Sequence, residues 1–235
     1  MEYTPFKMFT LLKNLFFPAV CAGCDAFLLF NEKTICTFCR HEIPLTFHFS
    51  NPDNEAIKKF YGKIPVEFAA AFVHFHKKGI VQELIHNLKY RGIEEIGTLF
   101  GHWFAADLKT VKALQTVDSI IPVPLHPKKL RERGYNQVET FGKALAESLK
   151  FDYNDRLLIR QVYSKTQTKK NRSSRSEVGN AQIFDVRFSD SDHNKHYLLI
   201  DDVLTTGATL EACGRAILKI PGAKLSIVTM AMSHS

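Results

Sequence analysis

The pattern of apolar and polar positions predicts strands that alternate with helices along most of the chain. Residues 80–90 have helical periodicity, with Val81, Leu84, Ile85 and Leu88 on one side. The same criteria predict helices over 99–108, 135–149 and 209–219, and buried strands over 66–75, 119–124, 197–200 and 225–232. Strands that alternate with helices form a mainly parallel sheet with helices packed against it, so the predicted fold class is α/β.

The segment 164–175, SKTQTKKNRSSR, has almost no apolar residue and lies between two possible strands at 157–162 and 181–188. Its composition is typical of a solvated surface loop. A long basic loop inside a compact domain is also often a lid or a binding loop. The composition leaves both interpretations open.

Apolar residues are frequent in the first 17 positions, but Lys13 and Asn14 interrupt them and Pro18 ends them. A signal peptide needs an unbroken apolar core, so we predict instead an amphipathic helix that packs on the body of the protein. A membrane-surface helix is the weaker alternative, because only Lys7 and Lys13 could meet lipid head groups. No later segment is long and apolar enough to span a bilayer. We therefore expect a cytoplasmic protein with no stable membrane insertion.

A polar turn at 51–54, Asn-Pro-Asp-Asn, predicts a boundary between two parts of the chain. Residues 1–50 would form a leading helix and a cysteine-rich module, and residues 51–235 the α/β domain. The chain has 235 residues, 45% hydrophobic and 23% charged, which is enough to bury a core without disulfides. The net charge of +7 favours anionic partners such as phosphates or nucleic acid, although solubility alone explains it equally well.

Four cysteines form two C-x-x-C pairs, Cys21/Cys24 and Cys36/Cys39, with eleven residues between the pairs. Two tight turns that face each other can present four thiolates, the tetrahedral site that structural zinc prefers. Because thiolates occupy all four positions, no place is left for a catalytic water. An iron–sulfur cluster is the minority alternative. Cys213 stands alone in a predicted helix and is interpreted as a small buried hydrophobic residue.

Residues 198–209, LLIDDVLTTGAT, combine a buried apolar strand, two carboxylates and a Thr- and Gly-rich turn before a helix. At the carboxyl end of a parallel strand, Asp201 and Asp202 can accept hydrogen bonds from sugar hydroxyls. Backbone N–H groups at the helix N-terminus form a phosphate cradle, and Gly207 lets the backbone come close to the ligand. A phosphate site beside a diol site fits a ribose 5-phosphate. A helix-capping turn is the structural alternative.

This stretch resembles the motif that binds 5-phosphoribosyl-1-diphosphate (PRPP) in type I phosphoribosyltransferases. Two further stretches, IPVPLHP at 121–127 and RERGYNQ at 131–137, resemble the ComF family, the competence-linked branch of that superfamily. Its members also carry an N-terminal C-x-x-C pair of pairs and a Lys-Tyr-Arg-Gly segment, here 89–92. The similarity extends over nearly the whole chain, and the order of the motifs makes it more specific than any one of them.

The resemblance implies a type I phosphoribosyltransferase-like fold with a PRPP site. It assigns the ribose hydroxyls and the stabilisation of the ribosyl cation to Asp201 and Asp202. It places the 5-phosphate in the cradle that follows and the diphosphate at the loop 122–128. The implied PRPP contacts are Val203, Leu204, Thr205, Thr206, Gly207, Ala208, Thr209, Pro124, Lys128, Lys129 and Arg133.

For the basic segment, the resemblance implies a mobile flap that closes over the site. The implied flap residues are Gln167, Lys170, Arg172 and Arg175. The family pattern has an Asn three residues after the last Arg, but this chain has Val178 there and Asn180 two positions later. The register of the flap and the role of Asn180 are therefore left open.

The resemblance implies Mg²⁺-dependent transfer of the phosphoribosyl group from PRPP to a nitrogen acceptor that the sequence does not identify, in a protein linked to DNA uptake. The alternative is a non-catalytic protein that senses PRPP or binds single-stranded DNA, with a competence helicase or DNA-processing protein as partner. Exposed Phe27, Phe30 and Phe38 in the zinc module would favour this alternative. We expect them instead to form a small core around the metal.

Overall fold

The computed structural model describes residues 18–161 and 183–233, and a parallel β-sheet lies at its centre. In chain order the strands are β1 (Phe68–Phe75), β2 (Ser119–Pro122), β3 (Asp152–Tyr153), β4 (Leu158–Arg160), β5 (Phe184–Val186), β6 (His196–Leu204) and β7 (Lys224–Ser233). Five of them form one sheet in the order β1-β7-β6-β2-β3, with every pair parallel. The two strands predicted beside the basic segment are present as the antiparallel pair β4 and β5. The predicted α/β class with a mainly parallel sheet is confirmed.

Helices cover both faces of this sheet. In chain order they are α1 (Thr37–Glu42), α2 (Glu55–Lys58), α3 (Ile80–Tyr90), α4 (Glu95–Leu108), α5 (Pro127–Arg133), α6 (Glu139–Leu149) and α7 (Ala208–Ile217). Short 3₁₀ helices lie at His48–Ser50, Lys112–Leu114 and Asp190–Asp192. The helix predicted over 80–90 is confirmed at both ends, and its four predicted apolar residues are all buried. The predicted leading helix lies outside the described residues.

The alternation of side chains along the strands divides the core in two. In β6, Leu198 and Ile200 face the side that α3, α4 and α6 cover, whereas Tyr197 and Leu199 face the side that α7 covers. Successive residues of a strand point to opposite faces, so a strand buried on both faces has to be apolar at every position. The unbroken apolar run that ends at Ile200 follows from this burial.

The order of the strands places a crevice at the carboxyl end of the sheet, between β2 and β6. After β2 the chain passes through α6 to β3 on one side, and after β6 it passes through α7 to β7 on the other side. Neighbouring strands whose connections leave in opposite directions form a topological switch point, where open parallel sheets bind ligands. The last β2 residue, Pro122, is in register with Ile200, so the crevice opens just beyond Ile200.

The cysteine module, residues 18–46, covers the outer edge of the sheet. The N–H of Thr46 donates to the carbonyl of Phe72 at 3.1 Å, and the N–H of His74 donates to the carbonyl of Pro44 at 2.8 Å. These bonds pair the free edge of β1, which would otherwise expose a row of unpaired backbone groups.

The same module also packs on two helices. The guanidinium of Arg40 lies 4.7 Å from the ring centroid of Trp103 in α4. In α3, Asn87 is buried and donates through Nδ2 to the carbonyl of Ala22 at 2.7 Å. The cysteine module, α3 and α4 contribute to one apolar cluster. The position of the module relative to α3 is therefore fixed by apolar packing and by a buried hydrogen bond.

Helices α4 and α6 approach each other closely at Gly101. A Cβ atom on this residue would lie 2.6 Å from the Cβ of Ala144 and 2.6 Å from the carbonyl oxygen of Phe141, both in α6. Neither atom can rotate out of the way, so any larger residue forces the two helices apart.

We expect Gly101→Ala to destabilise the protein by about 1–3 kcal/mol, because overpacking outweighs the roughly 0.5–1 kcal/mol that alanine gains over glycine inside a helix. Thermal unfolding measures this loss. Thr98→Ala, on the exposed side of α4, is the matched control and is expected to change stability by no more than about 0.5 kcal/mol. A melting temperature of Gly101→Ala at or above that of the wild type would contradict the packing described here.

Candidate functional site

Two neighbouring carboxylates, Asp201 and Asp202, lie inside β6 at the edge of the crevice. The strand continues to Leu204, so the prediction that it ends before the carboxylates is wrong. Pairing with β7 carries the ladder past the apolar run, since Asp201 is in register with Thr229. On the other side β2 has already ended, which leaves the backbone of the two acids facing the crevice.

Asp202 is 8% exposed and is held by donors from three places in the chain. Lys89 Nζ, at the end of α3, lies 2.6 Å from Asp202 Oδ2. Gln137 Nε2 donates to the same oxygen at 3.0 Å, and the N–H of Val203 donates to Oδ1 at 2.6 Å. A buried carboxylate needs such partners to offset the loss of water, so Asp202 is integrated into the protein's own hydrogen bonds.

Arg133 extends these contacts towards the surface. It donates through Nη1 to Gln137 Oε1 at 2.6 Å, and its guanidinium lies 5.2 Å from the ring centroid of Tyr90. Tyr90 directly follows Lys89. The contacts therefore close into a ring in which each residue touches the next. We call it the Asp202 ring; its members are Lys89, Tyr90, Arg133, Gln137 and Asp202.

A turn between α5 and α6 positions Gln137. The sequence predicts a helix from residue 135, but α6 begins at Glu139, so that prediction is wrong for the first four residues. Asn136 Nδ2 donates to the carbonyl of Val123 at 3.0 Å, and the hydroxyl of Tyr135 donates to a carbonyl of α3. Bonds from side chains to the backbone compete with helix formation and favour a turn here.

Lys89 and Gln137 are site residues that the sequence analysis did not assign. Both lie in segments that carry the family resemblance, 89–92 and 131–137. That resemblance indicated that the two segments have a functional role. It did not indicate that the two side chains meet on one oxygen of Asp202.

Asp201 points to the opposite face of the sheet from Asp202. It lines a small cavity of about 50 Å³ with the loop that leads into α7; the other lining residues are Val203, Leu204, Thr205, Thr206, Gly207, Ala208, Thr209 and Leu210. Burial, together with the Asp202 carboxylate, raises the pKa of Asp201 well above its usual range. The structure therefore brings Asp201 and the predicted cradle residues together in one cavity, and Asp202 is not among the residues that line it.

The loop into α7 has the features of an anion site. Gly207 has a φ of +82° and is followed at once by the first helical residue, Ala208. The three threonines Thr205, Thr206 and Thr209 are exposed beside this helix start. The first N–H groups of a helix have no intrahelical partner and carry partial positive charge, so they attract anions.

The residues predicted to meet a diphosphate lie after β2, on the other side of the crevice. Pro124 follows the end of the strand, and Lys128 and Lys129 are exposed on α5. Lys128 Nζ lies 3.8 Å from a carboxylate oxygen of Glu132, whereas Arg133 belongs to the Asp202 ring. The predicted flap residues Gln167, Lys170, Arg172 and Arg175, and the displaced Asn180, lie outside the described residues.

The four cysteines of the module form a compact cluster. Their sulfur atoms lie within 4.8 Å of one another, and Cys24 Sγ and Cys36 Sγ are 3.7 Å apart. Four sulfurs at about 2.3 Å from a central zinc would be separated by about 3.8 Å, so the cluster fits a tetrahedral metal site. Burial raises the pKa of Cys21, but N–H donors from Cys36 and Gly23 outweigh it and lower the pKa to about 7. Burial and the neighbouring cysteines raise the pKa of Cys39, so within the cluster Cys21 is favoured as the thiolate over Cys39.

The phenylalanines of the module do not form a core around this cluster. Phe27, Phe30 and Phe38 are 72%, 109% and 65% exposed, so the expectation that they are buried is wrong. Cys21, Cys36 and Cys39 are buried together with Ile35 and Ile43 in the large apolar cluster, whereas Cys24 is exposed. Cys213, in contrast, is buried in α7 as predicted.

None of the helices within 18–161 and 183–233 has the length and apolar character needed to cross a lipid bilayer.

The chain has homologues named for competence and for DNA utilization. It is 32% identical to competence protein ComFC of Streptococcus pneumoniae over 144 residues, which are 61% of this chain and 59% of that protein. ComFC of Bacillus subtilis is 31% identical over 142 residues, 60% of this chain and 54% of its own length. DNA utilization protein YhgH of Escherichia coli K12 is 25% identical over 200 residues, 83% of each chain.

The two ComFC matches span less than two thirds of those proteins. They confirm the resemblance predicted from the motifs. No family model matches the chain.

Among solved structures, adenine phosphoribosyltransferase from Leishmania tarentolae matches with a TM-score of 0.37 and 15% identity, over 65% of this chain and 74% of that one. The corresponding enzyme from Leishmania donovani matches with a TM-score of 0.34 and 14% identity, over 59% and 65%. Both are phosphoribosyltransferases by name. Likenesses this weak say nothing about the chemistry of the present site.

We expect the purified protein to contain about one zinc ion per chain, held by the four thiolates, and Cys39→Ser to lose it. Metal analysis by mass spectrometry measures the content, and a chelator should lower the melting temperature of the wild type. Cys213→Ala is the matched control, since Cys213 is a buried cysteine outside the cluster. Equal zinc contents in Cys39→Ser and wild type would disprove the site, and iron with visible absorption would favour the iron–sulfur alternative.

Proposed function

We propose that the chain binds PRPP together with Mg²⁺ and transfers the phosphoribosyl group to a nitrogen acceptor. One observation carries the proposal: Asp201 and the open N-terminus of α7 share a cavity at the carboxyl end of β6, a strand that borders the switch point of the sheet. An acidic acceptor of hydrogen bonds next to a cradle for an anion suits a ribose 5-phosphate. The motif resemblance extends this from a ribose 5-phosphate to PRPP.

In this proposal the residues 205–209 bind the 5-phosphate and the acid pair lies beside the ribose. The C1–O bond breaks with its electron pair going to the diphosphate, and the lone pair of the acceptor nitrogen forms the new bond to C1. The carboxylates stabilise positive charge that develops on the ribose. The loop after β2, with Lys128 and Lys129 on α5, meets the diphosphate, and the flap residues exclude water. When bound with the diphosphate, Mg²⁺ would supply positive charge that offsets the charge of the leaving group.

The proposed setting follows from the homologues. Relatives named competence protein ComFC and DNA utilization protein YhgH suggest a role linked to DNA uptake. The proposed location is the cytoplasm. The proposed organisation is a zinc module within 1–50, which has a structural role, and a phosphoribosyltransferase domain over 51–235. A DNA-processing protein or helicase is the proposed macromolecular partner.

Isothermal titration of the zinc-loaded protein with PRPP is expected to show micromolar binding that requires Mg²⁺. The double variant Asp201→Asn/Asp202→Asn should weaken it at least about 10- to 150-fold, because the loss of even one hydrogen bond to a charged group costs about 1.5–3 kcal/mol. Asp152→Asn, an exposed aspartate at the amino end of β3, is the matched control and should bind like the wild type. Equal affinity and turnover of the double variant and the control would sink the proposal.

A second candidate function, binding of single-stranded DNA, is favoured by the exposed phenylalanines of the cysteine module. Phe38 lines a groove of about 370 Å³ together with His76 and Lys78. Phe27 and Phe30 are exposed on the same module. Aromatic rings that stack on bases, next to cations that meet the phosphates, are the usual components of such sites. This function and PRPP binding do not exclude each other.

Fluorescence anisotropy with a labelled oligothymidylate tests this second function. Phe38→Ala should weaken binding at low salt by about 5- to 100-fold, since one base stacked on an aromatic ring contributes about 1–3 kcal/mol. Lys78→Ala should instead reduce the slope of log affinity against log salt by about 1. Phe188→Ala removes an exposed phenylalanine outside the module and serves as the control. Absence of binding at low salt removes this candidate.

A further inference from the structure

The bonds to Asp202 leave little of this carboxylate free for a ligand. Oδ2 accepts from Gln137 and faces the ammonium of Lys89, and Oδ1 accepts from the backbone. The side chains of Lys89 and Asp202 are only 20% and 11% exposed. A ligand hydroxyl that took over these oxygens would have to break a largely desolvated ion pair, which is strongly unfavourable.

Asp201 is in the opposite situation. The hydrogen bond that the structure gives its side chain comes from the next backbone N–H, from Asp202 to Oδ1 at 2.8 Å. Its carboxyl group lines the cavity that the helix start of α7 also lines. Asp201 therefore shares a cavity with the anion cradle, whereas Asp202 does not line this cavity.

We infer that Lys89 is a positioning residue of the proposed site. The alternation of side chains along β6 places Asp202 on the face of the sheet away from the cradle, and Lys89 and Gln137 tie its carboxylate there. Asp201 is left as the carboxylate that meets the ribose hydroxyls. The inference rests on the proposed function for its ligand, but the tie between Lys89 and Asp202 stands on the geometry of the protein alone. It also gives the two acids different roles, although the motif treats them as equivalent: Asp201 contacts the ligand, and Asp202 pairs with Lys89.

The position of Lys89 has a cause in the fold. Lys89 lies in the last turn of α3, and two residues earlier Asn87 is hydrogen-bonded to the cysteine module. The next residue, Tyr90, contacts Arg133, which in turn bonds to Gln137. Contacts on both sides of Lys89 thus fix its direction before any ligand is present.

Lys89 also influences Asp201 through space. Among residues 18–161 and 183–233, the charged groups that act on Asp201 are Asp202 in β6 and Lys89 in α3. Asp201 in turn acts on the Cys213 thiol in α7. The Lys89 cation lowers the pKa of Asp201, against burial and the Asp202 charge, which raise it more. Removing Lys89 therefore makes Asp201 harder to ionise.

The first experiment is a double-mutant cycle in thermal unfolding, with Lys89→Met, Asp202→Asn and the combined variant. Lys89→Met leaves a buried carboxylate without its cation and should lower the melting temperature by roughly 5–15 °C. The combined variant should lose clearly less than the sum of the two single variants. Additive losses would overturn the tie between Lys89 and Asp202, whether or not PRPP binds.

The second experiment measures Mg²⁺–PRPP affinity against pH for the wild type, Lys89→Met, Lys89→Arg and Asp201→Asn. An ionised Asp201 accepts from ribose hydroxyls better than a protonated one, so wild-type affinity rises with pH through the pKa of Asp201. Lys89→Met should shift this rise upwards by roughly 0.5–1 pH unit, and Lys89→Arg should restore it. Asp201→Asn should lose the rise and show only the titration of PRPP. Lys109→Met, an exposed lysine after α4, is the control.

The outcomes separate the two ideas. Wild-type protein that fails to bind PRPP overturns the proposed function, while the unfolding cycle still decides the ion pair. Wild-type binding with an unshifted profile in Lys89→Met overturns the role of Lys89. Wild-type binding with Asp201→Asn unaffected overturns the assignment of Asp201. If Lys89→Met does not fold, Lys89→Gln replaces it in both experiments, because its amide can still donate to Asp202.

Discussion

Successive residues of a β-strand project to opposite faces of the sheet, and Asp201 and Asp202 follow one another in β6. Two adjacent carboxylates are thereby sent into different surroundings, one beside the anion cradle and one against α3. The charge of Asp202 disfavours ionisation of Asp201, so a cation beside the pair helps both carboxylates to lie in a largely buried strand. Lys89, at the end of α3, supplies that cation. Gln137, in the turn before α6, donates a hydrogen bond to the same carboxylate.

Helix α3 connects the two parts of the molecule that carry chemistry. Its last turn bonds to the cysteine module through Asn87 and, two residues later, to the acid pair through Lys89. The two residues lie in the same turn of a regular helix, so the spacing between these two contacts is fixed. A metal bound by the four cysteines would therefore also influence where the ammonium of Lys89 lies, without contacting the ligand of the site.

Much of this arrangement follows from local sequence patterns. Helix α3 and the buried strands are predictable because packing on a core imposes a fixed periodicity, and the cysteine cluster because ligand spacing limits the turns. The length of β6 is not predictable in this way, since Asp201 and Asp202 interrupt the apolar run although β7 still pairs with them. The turn at 135–138 and the Lys89–Asp202 pair depend on partners that only the fold brings together. The exposure of Phe38 was missed because the thiolates, not apolar packing, organise a module this small.

The position of β1 constrains how the protein can be made. Within the sheet β1 pairs only with β7, which comes last among the described strands. During translation, β1 therefore leaves the ribosome long before β7 is synthesised, and one of its edges stays unpaired until then. An unpaired strand edge can pair with other nascent chains. The segment at 44–46, which covers the opposite edge, is synthesised before β1 and is available at once. Early folding of the cysteine module would thus cover one of the two edges of β1 during translation and reduce its tendency to aggregate.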